Sequence, residues 1–364
     1  MHYYMKKDYF EDRRIEMSLI DLHCDTASKI LHSSLPLNLW ENDLCVDIQK
    51  MKRADSSVQY FANFIFALHH EMKVQNIPEE KGQEWFAGLG TTNYGEIKVS
   101  EKAWDLAWEE AQEMIARLQK ESCEDLKMIT NCSEVEACMK SGKITGLATV
   151  EEGGVLNGKI DRVEELYRQG VRLITLTWNF ENCLGFPNNR KADIMNRGLK
   201  PFGIEVVEKM NELGMLVDVS HLSDGGFWDC IKYSKAPIVA SHSNTRALCP
   251  HPRNQTDEML KALAENGGVT GLNLYPAFLL ETGLATNADI ANHAVHMINV
   301  AGEDVVAIGT DFDGFDGDTS EGYVKHIGEM DKVWDAFKKA GITERQIDKI
   351  QFGNAWRVMK DVIG

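Results

Sequence analysis

The stretch Leu19-Ile20-Asp21-Leu22-His23-Cys24-Asp25 begins as a short apolar run and ends in a histidine and an aspartate two residues apart. Short apolar runs bounded by polar or turn residues are typical of strands in a parallel sheet that is buried on both faces. Similar runs recur along the chain, so we expect eight strands. The predicted strands are 19–22, 60–68, 144–150, 173–177, 215–219, 237–240, 269–274 and 305–308.

Amphipathic segments separate these runs. Apolar residues recur at helical spacing over 104–118, 204–213 and 259–264, and glycines follow the last two segments. Strands that alternate with such helices predict βα units, and eight units in 364 residues favour a closed (β/α)₈ barrel over an open doubly wound sheet. The nucleotide-binding pattern G-x-G-x-x-G follows none of the strands. The polar region 69–100 is expected to be a lid or an insertion.

The chain is acidic, with a formal net charge of −17. An acidic surface repels phosphate backbones and anionic lipid, so neither nucleic acid nor a membrane is expected as a partner. The sequence contains no run of about 18 apolar residues, so it predicts no membrane-spanning helix.

Residues 1–16 are too charged for the apolar core of a signal peptide, so we expect a solvated N-terminal extension followed by a single barrel domain over 17–364. The eight cysteines are scattered and form no C-x-x-C pair, which favours reduced thiols over disulfides or a structural zinc site. These features predict a cytoplasmic protein.

Histidines and carboxylates end five of the eight predicted strands. They are His23 with Asp25, Glu151 with Glu152, His221, His242, and Asp311 with Asp313. In a (β/α)₈ barrel the C-terminal ends of all strands meet at one mouth, and residues two apart on a strand point to the same side. Imidazole and carboxylate groups bind catalytic zinc, and this set is too large for one tetrahedral ion. It predicts two metal ions about 3.5 Å apart that share a carboxylate.

Each of these features has a structural alternative when it is taken alone. A strand-end histidine is often a hydrogen-bonded structural residue, and the sequences over 151–154 and 311–314 are also typical of turns. Their combination at five strand ends favours a single functional site.

From about Leu19 to its C-terminus, the chain resembles the membrane (renal) dipeptidase family of amidohydrolase-like barrels. The resemblance rests on matching motifs in the same order and spacing. These motifs are Asp-Leu-His-Cys-Asp-Thr (21–26), Val-Glu-Glu-Gly-Gly (150–154), Leu-Ile-Thr-Leu-Thr (173–177), Gly-Leu-Lys-Pro-Phe-Gly (198–203), Asp-Val-Ser-His (218–221), Ser-His-Ser (241–243), Arg-Asn (253–254) and Gly-Thr-Asp-Phe-Asp-Gly (309–314). The resemblance implies a zinc hydrolase that cleaves dipeptides, tolerates a D-residue at the C-terminal position and can form a homodimer.

The resemblance also implies roles for the strand-end residues. His23 and Asp25 correspond to the ligands of one zinc ion, and His221 and His242 to those of a second. Glu152, which directly precedes two glycines, corresponds to the carboxylate that bridges the two ions.

The bridge is assigned to Glu152 rather than to Glu151, and strand parity with Ala148 and Val150 agrees with that choice. Asp311 matches the acidic residue that transfers protons next to a hydroxide bridging the metals.

Arg253 matches the arginine that binds the terminal carboxylate of the substrate, and a guanidinium group can hold a carboxylate in a bidentate manner. Arg246 is the competing candidate for this role.

The chain departs from the family pattern directly after the Leu-Ile-Thr-Leu-Thr motif (173–177). Mammalian-type enzymes have a histidine there that contacts the scissile carbonyl, whereas this chain has Trp178 followed by Asn179. Tryptophan cannot accept a proton and has a single N–H donor. Transition-state stabilisation is therefore expected to depend more on the metals or on Asn179, and both residues are predicted to contact the substrate.

The sequence thus predicts a binuclear zinc dipeptidase with a small dipeptide as substrate. One alternative is another amidohydrolase activity, such as a deaminase or a cyclic amide hydrolase; many of these have H-x-H on the first strand and a modified lysine where Glu152 stands. A second alternative is a non-enzymic barrel that binds metal.

Overall fold

The structure is a computed structural model that describes residues 19–82, 97–316 and 319–364. The predicted N-terminal extension lies outside the described residues. So do residues 83–96, which form the centre of the region predicted to be a lid or an insertion.

Eight parallel strands close into a barrel, and a ninth short strand lies beside it. Around the barrel the order is β1, β2, β4, β5, β6, β7, β8 and β9, and the pairing of β2 with β4 closes the ring. β3 pairs with the first residues of β4. The strands are β1 (Leu19–Cys24), β2 (Ser56–Phe64), β3 (Leu126–Met128), β4 (Ile144–Glu151), β5 (Val171–Thr175), β6 (Leu216–Asp218), β7 (Val239–Ala240), β8 (Val269–Leu272) and β9 (Val306–Ile308).

Helices lie between the strands and after the last one. Those of the described residues are α1 (Thr26–His32), α2 (Ile48–Arg53), α3 (Ala67–Val74), α4 (Glu101–Gln119), α5 (Cys132–Lys140), α6 (Asp161–Arg168), α7 (Ala192–Met195), α8 (Pro201–Leu213), α9 (Asp224–Tyr233), α10 (Asp257–Glu265), α11 (Pro276–Leu279), α12 (Asn287–Ala301), α13 (Asp331–Lys339), α14 (Glu344–Asp348) and α15 (Asn354–Val362). Among them, none is long and apolar enough to cross a lipid bilayer.

Two apolar clusters fill the fold. The inner cluster contains one or two side chains from each barrel strand, such as Leu22 and Leu147, and it continues into Trp356 and Met359 of α15. The C-terminal helix therefore closes the bottom of the barrel. The outer cluster packs the other face of the strands against the helices. Because both faces are buried, the strands show no regular alternation of buried and exposed residues.

The predicted (β/α)₈ barrel is confirmed, and each of the eight predicted strands corresponds to a barrel strand. β3 was not predicted, since it has three residues and one of them, Lys127, is exposed. The helical patterns correspond to α4, α8 and α10, and α8 ends at Gly214 in the left-handed conformation. All eight cysteines are free thiols, as expected.

Candidate metal centre

The C-terminal ends of β1, β4, β6, β7 and β9 meet at one mouth of the barrel. Glycine permits the close approach of the strands there, because a Cβ atom at Gly271 or Gly309 would collide with the carbonyl oxygen of Ser241. The residues gathered at this mouth are each at most 9% exposed: His23, Asp25, Glu151, His221, His242 and Asp311.

His23 lies among three carboxylates. Its Nε2 is 3.3 Å from Oδ2 of Asp25, 3.4 Å from Oε2 of Glu151 and 3.9 Å from Oδ1 of Asp311. Burial lowers the pKa of His23, but the charges of Glu151 and Asp25 outweigh that effect and raise the pKa well above its ordinary value. This group therefore favours a positive charge at its centre.

His221 and His242 form a second group with the same glutamate. Their Nε2 atoms are 3.0 Å apart and lie 3.2 and 3.8 Å from Oε1 of Glu151. Burial lowers the pKa of both histidines well below the ordinary value, and the positive charges of Arg253 and His23 lower it further. Both imidazoles are thus neutral.

Hydrogen bonds at Nδ1 determine where each neutral imidazole carries its proton. Nδ1 of His221 is 3.0 Å from Oδ1 of Asn179, which can only accept, so this nitrogen donates. Ser241 Oγ donates to Asp218 at 2.6 Å and therefore accepts from Nδ1 of His242 at 2.7 Å. Each Nε2 consequently presents an unshared electron pair.

Two nitrogen lone pairs 3.0 Å apart cannot form a hydrogen bond with each other, so this arrangement suits a cation that both nitrogens can bind. Nitrogen and oxygen donors without thiolates are typical of catalytic divalent metal sites. Geometry alone identifies two overlapping groups of possible metal ligands among the described residues. They are His23 with Glu151 and His242, and His23 with Asp25 and Asp311.

Glu151 lies between the two histidine groups, with Oε2 towards His23 and Oε1 towards His221. Burial raises its pKa to about 7, and the nearby charge of Asp25 adds to the shift. The structure therefore corrects the prediction that placed Glu152 in this position.

The strand geometry explains the correction. Leu147 belongs to the inner cluster, whereas Ala148 and Val150 pack in the outer cluster. Residues that share the parity of Leu147 face the barrel interior, so Glu151 points to the mouth and Glu152 does not. At Glu152 the chain also turns sharply, with φ at 92°.

The carboxylate of Glu152 holds the loop that follows β5. Its Oε1 accepts hydrogen bonds from the backbone N–H of Gly154 at 2.8 Å and from Nδ2 of Asn182 at 2.6 Å, and its Oε2 accepts from the backbone N–H of Trp178 at 3.1 Å. Burial raises its pKa to about 7. Glu152 is therefore an anchor for this loop.

Asp311 reaches the same mouth from the end of β9. Its Oδ2 accepts a hydrogen bond from Nδ2 of Asn273 at 2.8 Å, and burial raises its pKa to about 6. It adopts a positive φ of 61°, as do Glu152 and His221 at other strand ends. Non-glycine residues in this conformation are strained, and they concentrate at functional sites.

Of the two candidate arginines, Arg253 lies at the site. It is buried, and its Nη atoms are 3.4 Å from Ser243 Oγ and 3.3 Å from the carbonyl oxygen of His242. Arg246 instead forms a bidentate ion pair with Asp224 at 2.7 and 2.8 Å. Its guanidinium group is therefore already engaged within the fold.

Trp178 and Asn179 both lie beside the histidines. The ring centroid of Trp178 is 6.1 Å from that of His221. Asn179 hydrogen-bonds to His221, so its amide orients a predicted metal ligand in this structure.

Sequence reasoning missed three polar residues that support the site: Asp218, Ser241 and Asn273. The first two stand in the motifs Asp-Val-Ser-His and Ser-His-Ser, which also contain the predicted ligands His221 and His242. The sequence motifs therefore could have identified Asp218 and Ser241 as residues of the site. Asn273 lies within the predicted strand 269–274, and a single amide there did not indicate a metal ligand.

We expect Ser241→Ala to weaken metal binding by roughly 10–100-fold, the usual cost of losing a partner that orients a ligating histidine. Without the hydroxyl, His242 Nδ1 loses the acceptor that keeps Nε2 unprotonated. Competition with a chromophoric chelator measures the change, and Ser234→Ala, outside this network, serves as the control. Unchanged affinity in Ser241→Ala would show that the hydrogen bond does not matter for binding.

Comparison with known proteins agrees with this site. Residues 12–363 match the sequence model of the membrane dipeptidase family, peptidase family M19. An uncharacterized protein of Klebsiella pneumoniae is 32% identical over 71% of this chain and 96% of its own length. An uncharacterized dipeptidase of Schizosaccharomyces pombe is 34% identical over 65% of this chain and 58% of its own length.

Among solved structures, a metallopeptidase from Rhodobacter sphaeroides, crystallised with a phosphinate mimic of the dipeptide L-Ala-D-Ala, is similar in fold. It superposes with a TM-score of 0.79 at 22% identity, covering 95% of this chain and 99% of its own. Because the family match extends over nearly the whole chain, the protein belongs to the membrane dipeptidase family, peptidase family M19, and is a metallo-dipeptidase.

Proposed function

We propose that the protein is a binuclear zinc dipeptidase that accepts dipeptides with either an L- or a D-residue at the C-terminal position. The main support for this proposal is the position of Glu151, whose Oε2 lies towards His23 and whose Oε1 lies towards His221. A carboxylate placed in this way suits a bridge between two metal ions.

The donor set supports zinc. His23 and Asp25 would hold one ion, His221 and His242 the other, and Glu151 would contribute one oxygen to each. Imidazole and carboxylate ligands that do not fill the coordination shell are typical of catalytic zinc. When bound, the ions would polarise the scissile carbonyl and lower the pKa of water from about 15.7 to about 7.

Asp311 is suited to move protons during the reaction. Its buried carboxyl group lies at the barrel mouth beside the proposed metal ligands, where a positioned carboxylate can accept a proton and release it again. Asn273 holds Oδ2, while Oδ1 lies towards His23. In the proposed reaction Asp311 accepts the proton of the attacking water and returns it to the leaving amine.

Arg253 is suited to bind the terminal carboxylate of a dipeptide. It is 6% exposed, and its Nε atom has no hydrogen-bond partner within the described part of the chain. A buried donor without a partner is costly, so a bound anion would satisfy it. The dipeptide mimic bound by the Rhodobacter sphaeroides relative has a D-residue in the C-terminal position, which supports the tolerance proposed here.

Other predicted amidohydrolase activities lose support. The first strand carries His23 and Asp25 rather than two histidines, and the residue between the two groups is Glu151 rather than a lysine. A cytoplasmic location and a homodimer stay predictions.

The proposal is tested by measuring metal content together with hydrolysis of matched L,L and L,D dipeptides and the corresponding dipeptide amides. We expect two zinc ions per chain, cleavage of both stereoisomers, weak cleavage of the amides, and loss of all activity on chelation with recovery on adding zinc. Less than one metal per chain and no cleavage of any dipeptide would contradict the proposal.

A further inference from the structure

Four aromatic side chains cluster on one side of the metal centre: Phe64 at the end of β2, Phe66 just beyond it, and Trp178 and Phe180 after β5. The Trp178 ring centroid lies 5.0 Å from that of Phe64, 5.5 Å from that of Phe66 and 5.2 Å from that of Phe180. We call this cluster the aromatic wall. Phe180 is fully buried, whereas the other three side chains are partly exposed. The wall is therefore a partly exposed aromatic surface that packs on a buried phenylalanine.

The aromatic wall adjoins the proposed metal ligands. Phe64 is paired in register with Glu151 across β2 and β4. Trp178 lies beside His221, with their rings inclined by 34°. A substrate whose scissile carbonyl lies at the metals would therefore have part of its length next to the wall.

Hydrogen bonds below the wall hold it in place. The carboxylate of Glu152 accepts from the backbone N–H of Trp178, and Asn182 links Glu152 to the carbonyl oxygen of Leu176 at 2.8 Å. Thr177 donates to the carbonyl oxygen of His221 at 3.2 Å. Because these contacts hold the chain from Leu176 to Trp178, little ordering should be needed when a ligand binds.

Arg253 lies across the mouth from the aromatic wall. The wall extends from β2 to β5, with β4 between them, and β8 is diametrically opposite β4 in the ring of eight strands. Arg253 contacts Ser243 after β7 and stacks over Phe278 after β8, with its guanidinium carbon 5.4 Å from the ring centroid. A dipeptide held by its carboxylate at Arg253 thus directs its N-terminal residue towards the wall.

From this arrangement we infer that the aromatic wall selects dipeptides whose N-terminal residue has a large apolar or aromatic side chain. The inference rests on the proposed function, because it assumes that Arg253 holds the terminal carboxylate. The four wall side chains carry no charge, so apolar side chains gain contact area there while charged ones lose hydration.

The test compares kcat/KM for Phe-Ala, Leu-Ala, Gly-Ala and Asp-Ala, which share their C-terminal residue. The zinc-loaded wild type is measured beside Trp178→Ala, Trp178→Phe and, as a control, Trp228→Ala on the exposed side of α9. Inhibition constants of phosphinate mimics of Phe-Ala and Gly-Ala separate binding from chemistry.

We expect wild type to prefer Phe-Ala and Leu-Ala over Gly-Ala by about tenfold or more, and Asp-Ala to be the poorest substrate. Trp178→Ala should lose most of this preference, because a higher KM for Phe-Ala lowers its kcat/KM more than that of Gly-Ala. Trp178→Phe should keep the preference because the wall stays aromatic, and Trp228→Ala should match wild type.

Two results would overturn the inference alone: good cleavage of Gly-Ala without a preference for Phe-Ala, or an equal loss for all substrates in Trp178→Ala. Absence of cleavage of all four dipeptides by zinc-loaded wild type would instead overturn the proposed function, and this inference with it.

Discussion

Glu151→Gln should lose metal and activity together, whereas Glu152→Gln, one residue further along the chain, should keep its metal. Glu151 lies within 3.4 Å of His23 and 3.2 Å of His221, so it is the carboxylate that two ions can share. Loss of a supporting partner commonly costs 10–100-fold in metal affinity, and loss of a bridging ligand should cost more than about 100-fold. Metal analysis after dialysis and dipeptide hydrolysis measure both effects.

Glu152→Gln is the matched control because it has the same chemistry on the adjacent residue. Its amide cannot accept all three hydrogen bonds from Gly154, Asn182 and Trp178. We therefore expect a lower melting temperature, consistent with a loss of about 1–3 kcal/mol in the free energy of unfolding. The opposite pattern, with metal lost from Glu152→Gln and kept by Glu151→Gln, would contradict the geometry described above.

Asp311→Asn should retain both metals and lose turnover by roughly 10²–10⁴-fold, the usual contribution of a positioned general acid–base group. The amide has the shape of the carboxyl group and can still accept a hydrogen bond from Asn273, but it cannot carry the proton. Steady-state kinetics with Phe-Ala, together with metal analysis of the same preparation, tests this expectation.

Asp316→Asn, at a highly exposed aspartate five residues further along the chain, serves as the control and should behave as wild type. Asp311 also falls within a possible ligand group with His23 and Asp25. If Asp311→Asn loses a metal ion, Asp311 is a ligand rather than a proton carrier, and the proposed mechanism is wrong at that step.

The barrel and most of the site could be predicted because their signals are local. Each strand is a short run rich in apolar residues, and the inward-facing polar residues at its C-terminal end reach the mouth once the barrel closes. His23, Asp25, His221, His242 and Asp311 all lie where that rule places them. β3 could not be predicted in this way, since three residues with one exposed lysine give no apolar run.

The choice between Glu151 and Glu152 could not be made in this way. All eight positions of β4 are buried, so the strand shows no alternation of buried and exposed residues that would identify the inner face. The turn at Glu152, with its positive φ, also breaks the simple alternation of side chains. Only the packing of Leu147 inside the barrel and of Val150 outside it identifies the inward-facing glutamate.

Local patterns in the chain were therefore sufficient for the fold and for the residue types that can bind metal. The three-dimensional contacts were needed for the identity of the bridging carboxylate, the proton positions on His221 and His242, and the grouping of Phe64 with Trp178. The physical reason is that strand periodicity depends on near neighbours in sequence. These other features depend on atoms brought together from distant strands, and no single stretch of sequence contains them.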